Sequence, residues 1–230
     1  MIKDVLLDKR CLVCGSKDLS EECDIICDKC LDAFDCIPQD LCPICGHPLT
    51  EDYCPSCYEL GTIYFDSYHF IQTYTGFFKN MVYRLKRNDE FMFNRLMVKL
   101  LQRRGYLSKD IPITIVPDIW FKAFRRGRGS LYYVLRLLRK EGYNVLPNIY
   151  RKRWYLTPQK AKSKSSRISD IENIYYLPID NADKYNGEIT LIDDVYTTGA
   201  TVNYGAKLLK QAGFDKVHCV TFFRAVMNGQ

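Results

Sequence analysis

Apolar positions alternate between two rhythms along most of this chain. Residues 64–74 (YFDSYHFIQTY) are aromatic and partly alternating, which predicts a strand with His69 on one of its faces. Residues 75–86 and 90–104 follow helical spacing, and in the second Phe93, Leu96, Met97, Leu100 and Leu101 form one apolar stripe. Residues 111–116 (IPITIV) are a short run of the kind buried in parallel sheets, stopped by Pro117. Residues 130–140 place Leu131, Val134, Leu135 and Leu138 on one helical side, and 144–150 predict another strand. Ile189, Thr190, Leu191 and Ile192 suit a buried strand ending at Asp193 and Asp194. Val202, Ala206, Leu209 and Ala212 then share a helical face with Gly213 as the stop, and residues 217–223 (VHCVTFF) read as the next parallel strand. Strands alternating with helices predict an α/β fold with a doubly wound parallel sheet over residues 61–230.

Residues 1–60 offer few large apolar side chains and need another source of stability. They hold four CxxC pairs: Cys11/Cys14, Cys27/Cys30, Cys42/Cys45 and Cys54/Cys57. A two-residue gap lets both sulfurs reach one tetrahedral Zn²⁺, so eight thiolates predict two structural zinc ions. Gly15 and Gly46 follow two of the pairs, where the chain must turn tightly. Sequential pairing, with Cys11, Cys14, Cys27 and Cys30 on one ion and Cys42, Cys45, Cys54 and Cys57 on the other, is the simplest; spacing also permits an interleaved one. Cys23, Cys36 and Cys219 read as packing residues, and His47 follows a complete pair and is not read as a ligand. The expected organisation is a cysteine-rich zinc-binding domain over 1–60 and an α/β domain over 61–230.

Charge sharpens that boundary. Residues 1–60 carry 5 Lys/Arg against 13 Asp/Glu, while 61–230 carry 28 against 14. Residues 120–169 alone hold 14 Lys/Arg and a single acid, Glu141, interleaved with aromatics such as Trp120, Phe124, Trp154 and Tyr155. Such a stretch predicts a polyanion partner, and the aromatics favour unpaired bases over a duplex. The DNA-contacting candidates are Arg151, Lys152, Arg153, Trp154, Lys160, Lys162, Lys164 and Arg167; solvated basic loops are the plain alternative. No run of about 18 apolar residues occurs, and no signal-peptide core opens the chain, so a cytoplasmic protein with reduced thiols is expected.

The densest chemistry lies at residues 189–201, ITLIDDVYTTGAT. A strand, two carboxylates, a small-residue loop and a helix start compose an anion site with hydroxyl-binding acids beside it. Backbone N–H groups at a helix N-terminus bind phosphate, and Gly199 allows close approach. Carboxylates repel phosphate and suit ribose hydroxyls instead. No GxxxxGK[ST] segment occurs.

This stretch resembles the phosphoribosyl pyrophosphate (PRPP) motif of the type I phosphoribosyltransferases. The resemblance implies that Asp193 and Asp194 contact the ribose 2′ and 3′ hydroxyls, and that Val195, Tyr196, Thr197, Thr198, Gly199, Ala200 and Thr201 form the loop around the 5′-phosphate. Mg²⁺ would accompany PRPP, and Arg125 and Arg126 would meet its pyrophosphate. Four CxxC pairs, a basic body and this motif together resemble the ComF family, and its ComFC type most closely. Residues 83–89 (YRLKRND) look like its LKxxGD segment with Asn88 at the Gly position. Val116-Pro117 and Arg126-Gly127 match its VP…RG spacing, whereas RGRGS stands where RGFNQ is usual. Gln159 and Arg167 fall at its Q…R positions, with Asn173 displaced. The resemblance implies a role in natural transformation: binding single-stranded DNA during uptake, with other competence proteins such as a DNA translocase as partners and the inner face of the membrane as a peripheral station. Two further readings share the site: an active Mg²⁺-dependent phosphoribosyltransferase with an unidentified acceptor, and a PRPP-sensing regulator.

Overall fold

A computed structural model describes residues 9–49, 53–88, 90–117, 131–153 and 171–226. Two short helices, α1 (Asp28–Asp35) and α2 (Pro55–Leu60), lie in the cysteine-rich segment. Strand β1 (Ser67–Thr73) leads into α3 (Gly76–Asn88) and α4 (Glu90–Arg103), and β2 (Ile113–Ile115) precedes α5 (Leu131–Lys140). A two-stranded ribbon, β3 (Arg151–Lys152) and β4 (Tyr175–Tyr176), comes before β5 (Glu188–Tyr196), α6 (Ala200–Gln211) and β6 (Lys216–Arg224). The main sheet has the order β1-β6-β5-β2 with every neighbouring pair parallel.

Alternating residues of these strands feed two cores, one on each face of the sheet. Ile71, Ile113, Ile115, Ile192, Val220 and Phe222 pack with the Phe93–Leu101 stripe of α4 and with Val134, Leu135 and Leu138 of α5. Each fully buried side chain of that stripe is worth roughly 1.5–3 kcal/mol. Tyr68, Phe70, Ile189, Leu191, Val217 and Cys219 pack against Val202, Ala206, Leu209 and Ala212 of α6. Parallel strands buried on both faces explain why their sequences read as continuous apolar runs.

The cysteine-rich segment contributes to both cores. Cys11, Val13, Ile25, Ile26, Cys27, Cys30, Leu31 and Phe34 join the first, whereas Cys42 and Cys45 join the second. Buried Gln72 of β1 donates from Nε2 to the carbonyls of Ala33 (3.1 Å) and Cys36 (2.8 Å), which satisfies groups that the end of α1 leaves open. Acids of the segment meet bases of α4: Asp24 pairs with Lys99 at 2.7 Å, Asp35 with Arg103 at 2.7 Å, and Glu22 with Arg103. Part of the charge asymmetry is therefore spent inside the molecule.

Several expectations need correcting. Residues 144–150 form no strand; Val145 makes a single bridge to Ile113, after which Pro147 lacks an N–H and Asn148 turns to a φ of 65°. Strand β5 does not end at the acidic pair but continues to Tyr196, because β6 offers ladder partners up to Arg224. The first predicted strand narrows to Ser67–Thr73. Cys36 is exposed, so it is not a packing residue, while Cys23 and Cys219 are buried as expected. Arg151 and Lys152 belong to a short ribbon rather than to a loop; two residues per strand are too few for a period to register.

Candidate functional site

The loop at residues 197–199 grows out of β5 in the middle of the sheet, at the carboxyl ends of the strands. Asp193 is buried at 9% exposure and Asp194 is half-buried. Asp193 pairs in register with Thr221 and Val195 with Phe223, so the acidic pair lies within the ladder of β5 and β6. Asp193 Oδ1 accepts the N–H of Asp194 at 2.9 Å, and Asp194 Oδ1 accepts that of Val195 at 2.8 Å. These bonds hold each carboxylate close to the backbone at the mouth of the loop.

Beyond Tyr196 the chain turns through Thr197, Thr198 and Gly199 into α6. Gly199 is the N-cap at a left-handed φ of 81° and has no side chain with which to cap the helix. A β-carbon at Gly199 would fall 2.1 Å from Tyr196 Oη, so only glycine fits over that ring. Thr198 Oγ1 accepts from Ala200 N–H at 3.4 Å, and Thr197 is exposed with Thr198 and Thr201 half-buried. The Tyr196 hydroxyl is buried, has no hydrogen-bond partner among the described residues, and lies against Gly199. Burial pushes its pKa well up, so it stays a protonated donor. The remaining backbone N–H groups of this helix N-terminus favour an anion.

Two distant residues hold this turn in place, and neither stood out in the sequence. Asn203, in the first turn of α6, accepts the N–H of Tyr64 (2.8 Å) and donates to Thr62 O (2.8 Å). Arg224, at the end of β6, donates through Nη1 to Thr197 O (2.9 Å) and through Nε to Cys45 O (2.8 Å). The sequence signal for Arg224 is slight: a lone cation closing a buried apolar strand.

The cysteines gather into two groups of four, Cys11/Cys14/Cys27/Cys30 and Cys42/Cys45/Cys54/Cys57, with all sulfurs of each group within 4.8 Å of one another. Sequential pairing is thereby the observed one. Sulfur separations of 3.6 Å (Cys14–Cys27), 3.7 Å (Cys42–Cys57) and 3.4 Å (Cys45–Cys54) match a tetrahedral site with Zn–S bonds of about 2.3 Å. Burial raises the Cys11 thiol, but the N–H groups of Cys14, Cys27 and Val13 outweigh it and lower the pKa to about 6. Such donors favour the thiolate that a metal requires. The donor set fits structural zinc, with all four positions filled by protein. His47 stays outside both groups, its Nδ1 2.7 Å from Pro48 O.

Of the basic candidates, Arg151, Lys152 and Arg153 are described. They lie on and beside the β3–β4 ribbon, where Lys152 Nζ sits 5.6 Å from the Tyr175 ring centroid and Arg153 Cζ 4.9 Å from that of Tyr176. Tyr150, next to this ribbon, packs against α6 so closely that a β-carbon on Gly205 would meet its hydroxyl at 2.6 Å. The ribbon and the loop at residues 197–199 thus share one helix as their support. Arg125, Arg126, Trp154, Lys160, Lys162, Lys164 and Arg167 lie outside the described residues.

No family model matches the chain. Among curated proteins it is similar to "Competence protein ComFC" of Streptococcus pneumoniae, 24% identical over 231 residues, which covers 94% of this chain and 100% of that protein. It is similar to "Competence protein F" of Haemophilus influenzae, 26% identical over 196 residues, covering 80% and 85%. It is also similar to "Competence protein ComFC" of Bacillus subtilis, 25% identical over 197 residues, covering 82% and 79%. No described helix is long and apolar enough to cross a membrane.

Proposed function

We propose that this chain, which its three competence-protein relatives assign to the ComF family, acts in DNA uptake as a single-stranded DNA-binding protein with a PRPP site. The relatives' names support the role in competence. The observation that carries the PRPP site is the turn at 196–201: a helix N-terminus entered through left-handed Gly199, with two carboxylates on the preceding strand. The 5′-phosphate takes the N–H groups of residues 197–201, and Asp193 and Asp194 take the ribose hydroxyls. Mg²⁺ accompanies the pyrophosphate, with Arg125 and Arg126 as its cationic partners. Unpaired bases stack along the basic ribbon at Arg151–Arg153 and the stretch that follows it, while phosphates meet its cations.

Calorimetry with PRPP and Mg²⁺ tests the site. The parent binds, and the Asp193→Ala/Asp194→Ala double variant loses roughly 1.5–3 kcal/mol per carboxylate contact. Equal binding by parent and double variant would reject the assignment. Single-strand affinity measured with and without PRPP separates a regulator, whose affinity changes, from a protein that merely holds both ligands. PRPP-dependent pyrophosphate release with any nucleobase would instead favour the enzyme reading.

A further inference from the structure

Arg224 is 0% exposed, and the oxygen atoms it donates to among the described residues are all uncharged. Nε donates to Cys45 O (2.8 Å) and Nη2 to Ser56 Oγ (3.0 Å), both in the second cysteine lobe. Nη1 donates to Thr197 O (2.9 Å), with Tyr196 O at 3.4 Å, and to Ala225 O. The guanidinium carbon lies 4.4 Å from the Tyr196 ring centroid. Among the described residues, no carboxylate forms an ion pair with this guanidinium. A buried cation with only neutral partners is strongly disfavoured.

Among the described residues, one group in reach can carry a balancing charge. Nη2 is 4.0 Å from Cys45 Sγ, a member of the second cysteine group. Four thiolates around one Zn²⁺ carry a net charge of about −2. The same planar fork therefore faces a metal site on one side and the carbonyls of the ligand loop on the other. A rigid guanidinium cannot follow one side without disturbing the other. The lobe itself is pressed onto the sheet, because a β-carbon at Gly46 would fall 2.4 Å from the Phe70 ring.

We propose that Arg224 is a positioning residue that couples metal occupancy of the Cys42/Cys45/Cys54/Cys57 group to the order of the loop at residues 196–199. Metal in that group provides the counter-charge that keeps the guanidinium in place, and the guanidinium fixes the loop carbonyls so that the intervening N–H groups converge. The first cysteine group packs into the core on the other face of the sheet and, among the described residues, Arg224 makes no hydrogen bond to it, so it serves as the internal control. Coupling is reciprocal: a ligand that orders the loop should retain metal in the second group and not in the first. Only this ligand arm rests on the PRPP reading.

The test uses the full, zinc-loaded chain. A chelator is added in steps, alkylation of freed thiols reports which group has emptied, and hydrogen exchange follows the amides of residues 196–199. Emptying the second group should speed their exchange by about tenfold or more, and emptying the first should leave it unchanged. Unchanged exchange after loss of the second metal overturns the proposal, and this arm needs no variant. Arg224→Lys keeps the charge but not the fork; it should retain both metals while loop exchange rises. Arg224→Gln removes the charge and should release the second metal about tenfold faster. PRPP with Mg²⁺ should slow release of the second metal in the parent and not in Arg224→Lys. Binding of PRPP to the parent without that slowing counts against the coupling. Failure of PRPP to bind the parent at all overturns the ligand site and leaves the metal–loop coupling to be decided by exchange alone.

Discussion

Gly199 sits at a φ of 81° with the Tyr196 ring directly beneath it. Any side chain there meets two penalties at once. The left-handed conformation costs an L-residue about 1–2 kcal/mol, and the β-carbon must displace a ring that is 1% exposed and wedged against Tyr68 at 4.6 Å. Gly199→Ala should therefore lower stability by at least about 2 kcal/mol in urea denaturation and abolish PRPP binding. A variant that keeps both parental stability and parental affinity would show that the turn is not the tight one described.

At the scale of elements, α4 joins the sheet to the first cysteine lobe by two unequal means. Its apolar stripe is buried, and Phe93→Ala should cost about 3–5 kcal/mol. Its polar rim makes the pairs with Asp24, Glu22 and Asp35. The hydrogen bond from Lys99 holds the Asp24 carboxyl below the usual carboxylate range. A depressed folded value means that this contribution is complete above the unfolded value of about 3.9 and is lost as pH falls through the folded one. The Asp24 side chain is 54% exposed, so solvent screens the pair. Lys99→Ala should cost less than about 1 kcal/mol at neutral pH, and the difference from the parent should shrink as salt rises. A loss as large as that of Phe93→Ala would mean that charge, not packing, seats the lobe.

For the whole molecule, the two cysteine groups and the two faces of the sheet form a connected body. Purified protein should carry close to two zinc ions per chain, as the two four-cysteine groups require. Chelation should lower the midpoint of thermal unfolding as a whole, since cysteines of each group belong to a core shared with the strands. Metal analysis finding none in folded, reduced protein would remove the zinc assignment. The basic surplus of residues 120–169 makes a second prediction at this scale. Replacing Lys160, Lys162, Lys164 and Arg167 with Ala should weaken single-strand binding and flatten its salt dependence, by up to about 0.7 per lost phosphate contact. Unchanged affinity with PRPP binding intact would reject that stretch as a DNA-binding element.

What the sequence alone determined is what short-range pattern encodes. Period-2 and period-3.6 runs located β5, β6, α4, α5 and α6, because burial on a strand or helix face repeats within a few residues. The CxxC pairs and the strand–acid–loop–helix segment were legible for the same reason: their chemistry is local. Tertiary structure alone decided which cysteines share a site, how far β5 runs beyond Asp193, and what stands behind the loop at residues 197–199. Those answers depend on contacts between residues far apart in the chain. Arg224 meets Cys45 across 179 residues, and Asn203 meets Thr62 across 141. No periodicity marks such pairs. Each is a single polar side chain whose partner is a backbone carbonyl, a group that every residue carries, and only the folding of the sheet brings the two within hydrogen-bond distance.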